Sequence, residues 1–186
     1  MEKINETLKN IGEAIDKIKN KECKIVFLSP DTKGTARASV AYIYRQAMTL
    51  KNNGYNVSIL HEKNDYKLIG DENGNGVGDW LGEEYAKLPH ASIESQNLNI
   101  SPADFIIIPE IFANIMDQVK GFPCKKVVFS QSYDYLLELL QIGKRWNVDY
   151  GFNDVITTSE KHSEFVLDQH RNLKSRSEAI DTVKWN

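Results

Sequence analysis

The chain has 186 residues, 41% of them hydrophobic, which is enough apolar material for one packed domain. A formal net charge of −3 gives no global attraction to nucleic acid, and no apolar run approaches the ~20 residues that span a bilayer. The opening MEKINETLKN is too polar for a secretory signal, and two cysteines without CxxC spacing, Cys23 and Cys124, suit a reducing cytoplasm.

Ile4, Leu8, Ile11, Ile15 and Ile18 recur at helical steps, so residues 1–20 read as an amphipathic helix with one apolar stripe. Packing on the following domain and self-association are the two uses such a stripe allows. Ile25 to Leu28 then read as a short buried strand, and Ser29 to Thr35 as the loop after it. Val40, Ile43, Tyr44, Ala47 and Leu50 share one helical face, with Gly54 in the C′ position. Tyr55 to Leu60 form the second strand.

Residues 65–91 are the least regular stretch, expected to be a loop followed by a short helix from Trp80 to Leu88. Asp104 to Ile108 is a strongly apolar strand closed by Pro109, and Phe112, Ile115, Met116 and Val119 mark the next helix. Lys126 to Phe129 is a further strand, followed by a helix carrying Tyr133, Leu136, Leu137 and Leu140. Val155 to Thr158 is the last strand, with Ser159 as N-cap of a helix through Phe165 and Val166. Residues 171–186 read as a polar tail. Strands separated by helices of this length give an α/β fold with right-handed crossovers. The expected architecture is a single doubly wound, Rossmann-like, mostly parallel sheet over residues 24–170, with helices on both faces.

The pieces KIVFLSPDTKGTA, ADFIIIPEIF, CKKVVFSQSYDY and NDVITTSEKHSEFVL, in that order, resemble the N-terminal domain of GT-B fold glycosyltransferases. The likeness is to the retaining, nucleotide-sugar-dependent type and covers roughly Lys24 to His170. It implies a domain that holds a saccharide acceptor in loops after its strands. On that basis Asp31, Thr32, Lys33, Gly34 and Arg37 in the first loop become candidate acceptor contacts. Thr35 and Phe112 lie among the same loops. Glu110 follows at the PE turn, Gln131 and Tyr133 after the next strand, and Ser159 after the last.

Two features depart from the family. Ser130 and Gln131 stand where many members place a histidine, and the first loop has no histidine to act as general base. The resemblance also implies a donor domain that these residues do not build. Sugar transfer would need a partner protein or a C-terminal continuation to supply it, and catalytic residues cannot be assigned.

The residues themselves allow several chemistries. Lys33, Gly34 and Arg37 ahead of a helix could meet a phosphate, although neither GxGxxG nor GxxxxGK[ST] is present, and no cofactor is called for. Glu110 could order hydroxyls or act as a base, or be a plain turn residue. Gln131 could bond a sugar edge; Tyr133 could stack on the sugar, or open the core face of its helix. Asp71 to Asp79 match the first nine places of an EF-hand loop, but place twelve is Gly82 rather than Glu, which favours a polar turn over calcium. His61, His90, His162 and His170 show no metal spacing. A non-catalytic binding or assembly module on the same scaffold is the alternative function, and a flavodoxin-like domain a third, its phosphate loop only faintly echoed in Thr32 to Thr35.

Overall fold

The computed structural model describes residues 23–30, 36–70, 76–95, 98–110, 113–134, 146–152, 154–169 and 174–176. Seven strands, β1 (Ile25–Leu28), β2 (Val57–His61), β3 (His90–Ser92), β4 (Phe105–Pro109), β5 (Lys125–Ser130), β6 (Asp154–Thr157) and β7 (Lys174–Arg176), form one sheet. Their order is β3-β2-β1-β4-β5-β6-β7, and every neighbouring pair is parallel. The chain therefore winds outward from β1 in one direction and from β4 in the other. The junction of β1 and β4 is the topological switch point, and in sheets of this kind ligands bind beyond the carboxyl ends of the strands at that point. The doubly wound, Rossmann-like α/β architecture read from the strand and helix periods is the observed one.

The central strands β1, β4 and β5 are apolar along most of their length because both faces are covered. Val26, Leu28, Leu60, Ile106, Ile108 and Val128 join Ile115, Met116, Val119, Trp146 and Phe152 in one core. The alternate residues Phe27, Ile59, Ile107, Val127 and Phe129 join Val40, Ile43, Tyr44 and Ala47 in the other. This is the period-two projection of a strand applied to a sheet sandwiched between helices.

Helix α1 (Ala38–Asn52) lays its expected stripe on the second core. It ends in a Schellman motif: Tyr55 N–H bonds Leu50 O at 3.1 Å, and Gly54 N–H bonds Lys51 O at 3.0 Å. Gly54 has φ of +89°, a conformation that glycine adopts without a Cβ penalty. At the same amino edge of the sheet Asp104 is buried and accepts the N–H groups of Lys24 at 2.6 Å and Ser101 at 2.7 Å. That carboxylate pins the amino end of β1 to β4.

The single helix expected over Trp80 to Leu88 is instead two short ones, α2 (Val77–Trp80) and α3 (Glu83–Ala86). Gly82 divides them, with φ of +135°, far outside the helical region. The first five places of the EF-hand-like match, residues 71–75, lie outside the described residues, but Asp79 is visible. Its Oδ2 takes the N–H groups of Gly70 and Gly76, each at 2.6 Å, so it clasps its own loop. Helices α4 (Ala113–Val119), α5 (Trp146–Asp149) and α6 (Glu160–Gln169) complete the described elements. β7 lies within the segment read as a polar tail and pairs with β6 from Asp154↔Lys174 to Ile156↔Arg176. The amphipathic helix expected over residues 1–20 lies outside the described residues.

Candidate functional site

The carboxyl edge of the sheet gathers a connected set of polar residues beside the switch point. β4 runs apolar up to Pro109, and Glu110 follows where the strand has ended. Its backbone N–H bonds Phe129 O at 3.2 Å, which keeps the residue beside β5. One carboxyl oxygen, Oε1, accepts the N–H groups of Gln131 at 2.6 Å and Ser132 at 2.8 Å. The other, Oε2, is buried and has no hydrogen-bond partner among the described residues. Glu110 is only 3% exposed, and burial pushes its carboxyl up from 4.5 to about 7, against the lowering effect of the N–H groups. A carboxyl so placed changes charge near neutrality, with one oxygen engaged and the other buried without a partner among the described residues.

Gln131 reaches in the other direction. Its Nε2 donates to Ser39 O in the first turn of α1, at a long 3.5 Å. The loop after β5 thus spans from Glu110 on one side to α1 on the other, across the mouth of the switch point.

Tyr133 follows directly. Its ring stacks on His162 with centroids 4.5 Å apart at 30°, meets Phe165 edge-on at 4.9 Å, and stays 43% exposed. His162 itself is buried in the first turn of α6, with Nε2 3.1 Å from Ser130 Oγ and Nδ1 3.2 Å from Thr158 Oγ1. Burial lowers its pKa below 6.5, which favours a neutral ring between the two hydroxyls. The expected N-cap is present, since Ser159 Oγ accepts the His162 N–H at 3.2 Å.

The candidate acceptor contacts therefore divide. Glu110, Gln131 and Tyr133 are brought together through the loop after β5. The Ser159 hydroxyl is engaged as a helix cap. Arg37 holds the N-cap position of α1 with an extended backbone and an exposed side chain. Asp31, Thr32, Lys33 and Gly34 lie outside the described residues, as do Thr35 and Phe112. Ser130, Thr158 and His162 belong to the same edge without having been selected as contacts. The available clue was the spacing of His162 three residues after a predicted N-cap, which puts it in a helix's first turn.

A second cluster sits farther out, on β2 and β3. His61 Nε2 lies 2.9 Å from His90 Nδ1, and Tyr66 stacks on His61 at 3.9 Å and 9°. His90 Nε2 is buried with no partner among the described residues. Burial, helped by the nearby charge of His61, lowers His90 from 6.5 to about 4. Among the described residues no group of three or more His, Cys, Asp or Glu could hold a metal ion. Both Cys23 and Cys124 are free and buried. No helix among the described residues is long and apolar enough to cross a membrane.

No protein-family model matches the chain, and no curated protein matches it.

Proposed function

We propose that this chain is a glycosyltransferase-like acceptor-binding domain. It would hold a sugar-bearing acceptor at the carboxyl edge of its sheet while a nucleotide-sugar donor is held by a second domain. The observation that carries the reading is the Glu110 carboxyl: buried at the edge of the switch point, fixed through Oε1 by two N–H groups, and with no hydrogen-bond partner at the buried Oε2 among the described residues. An oriented carboxyl oxygen in a low-dielectric site accepts a hydroxyl hydrogen bond, or the proton itself when a hydroxyl attacks. The strand order supports the reading, because it places Glu110 and the Gln131 loop together where doubly wound sheets bind ligands.

Saturation-transfer NMR on the full chain with neutral and acidic oligosaccharides tests this. Contact with a saccharide that Glu110→Gln weakens is the expected result. A wild-type protein that gives no transfer to any saccharide would remove the proposal.

A further inference from the structure

Asn53 and Gly54 stand together at the carboxyl end of α1, and both are exposed. In an asparagine–glycine pair the side-chain amide and the next backbone nitrogen can react with each other, because glycine puts no Cβ in the way. The Gly54 nitrogen gives its proton to hydroxide and attacks Asn53 Cγ. A nitrogen–carbon bond forms, the Cγ–Nδ2 bond breaks, and Nδ2 leaves as ammonia. Water then opens the five-membered imide at either carbonyl, giving aspartate or isoaspartate at position 53 with no change of oxidation state.

Both reacting groups are engaged by the last turn of the helix. The Gly54 N–H donates to Lys51 O at 3.0 Å, and Asn53 Nδ2 donates to Thr49 O at 2.9 Å. The Asn53 N–H is shared between Thr49 O and Leu50 O, each at 3.1 Å, and the Tyr55 N–H closes the motif on Leu50 O. Leu50 and Tyr55 both pack against the second core, which ties this turn to the sheet. Attack needs the Gly54 N–H freed from Lys51 O, and departure of ammonia needs Nδ2 freed from Thr49 O. Exposure alone therefore does not make the pair reactive.

We infer that the pair Asn53 and Gly54 is a gated deamidation site, closed while the last turn of α1 is intact and reactive once that turn opens. The product does not restore the cap. It puts a carboxylate at the negative end of the helix dipole and removes the donor to Thr49 O. Isoaspartate also lengthens the main chain by one carbon, so the Schellman bonds lose their register. Each opening that ends in reaction leaves a permanent mark where α1 hands over to β2. The inference is independent of the acceptor-binding reading, which concerns the other edge of the sheet.

The full chain is held at mildly alkaline pH, folded in buffer and unfolded in urea, and peptide mapping by mass spectrometry follows deamidation at position 53. The folded chain reacts at least about tenfold more slowly than the unfolded one. Lys51→Gly, a change at an exposed position, weakens the last turn and leaves the reacting pair untouched. It accelerates the folded-state reaction several-fold over Lys51→Ala, whereas in urea wild type and both variants react at one rate. A folded rate equal to or above the unfolded one overturns the protection. A slow folded rate that is the same in Lys51→Gly and Lys51→Ala overturns the gate, because the last turn then does not control the reaction. Acceleration by Lys51→Gly that persists in urea overturns it too, since the effect is then one of local sequence.

Discussion

Glu110 Oε1 accepts the N–H of Gln131 at 2.6 Å, so a carboxyl just beyond β4 organises the loop that leaves β5. The bond crosses between adjacent parallel strands at the point where both have run out of ladder partners. It satisfies N–H groups that would otherwise need water, and the second oxygen has no hydrogen-bond partner among the described residues.

The burial of Glu110 has a thermodynamic signature. Its pKa is raised on folding from 4.5 to about 7, so the native state holds the proton more tightly across that interval. Its contribution is fully present below pH 4.5 and is lost as pH rises through 7. At about 1.4 kcal/mol per unit the full change is about 3.5 kcal/mol. Glu110→Gln keeps an oxygen for Gln131 and Ser132 but cannot ionise. Urea unfolding at pH 5, 6 and 7.5 therefore shows the variant gaining stability relative to wild type as pH rises. Parallel curves for the two proteins would refute the ionisation argument.

His90 acts with the opposite sign over nearly the same range. Its folded pKa falls from 6.5 to about 4, so its contribution is present above pH 6.5 and is lost as pH drops toward 4. His90→Asn breaks the bond to His61 at a cost of about 1 kcal/mol at pH 7. The variant then becomes less acid-sensitive than wild type between pH 6.5 and 4, as melting temperatures across that range will show. Because the Glu110 and His90 slopes oppose each other, the wild-type profile is flatter than that of either variant.

The EF-hand-like glycines have a structural use at Gly76. A Cβ there would lie 2.5 Å from Leu68 C and 2.6 Å from Ile69 Cα, which are backbone atoms with no rotamer to yield. Gly76→Ala must displace the loop that Asp79 clasps through Gly70 and Gly76, and it should cost about 1–3 kcal/mol. Gly121→Ala is the control, since nothing lies within 4 Å of its added Cβ, and it should stay within about 0.5 kcal/mol of wild type. Chemical denaturation of the pair decides the matter; equal midpoints would contradict the close approach.

What the sequence disclosed follows the physics of each element. β1, β4 and β5 carry near-continuous apolar runs because they are central and buried on both faces, and each was legible within about two residues of its end. β3 is His-Ala-Ser and β7 is Lys-Ser-Arg, and neither has an apolar pattern. They are strands by virtue of backbone pairing with β2 and β6, which composition cannot express. Glu110 was readable as a carboxylate past a strand end, but the N–H groups that orient it are main-chain and leave no mark on side-chain identity. His162 was harder still, because Ser130 lies 32 residues away and no local spacing joins them.

Ser130 and His162 form a hydroxyl–imidazole pair, and the surroundings argue against nucleophilic use. Ser130 is fully buried at the end of β5. The N–H of the next residue, Gln131, which could stabilise an oxyanion beside an attacked carbonyl, is already taken by Glu110 Oε1. On the other side the imidazole meets Thr158 Oγ1, which lacks the charge that a carboxylate gives an orienting partner in a catalytic triad. The pair instead satisfies a buried ring and joins β5 to α6. Ser130→Ala leaves His162 Nε2 without that partner and should destabilise the protein by about 1–3 kcal/mol. Incubation of the folded wild-type chain with a fluorophosphonate followed by mass spectrometry should show no adduct at Ser130, while melting of Ser130→Ala shows the loss. An adduct at Ser130, or an unaltered melt, would reverse the assignment.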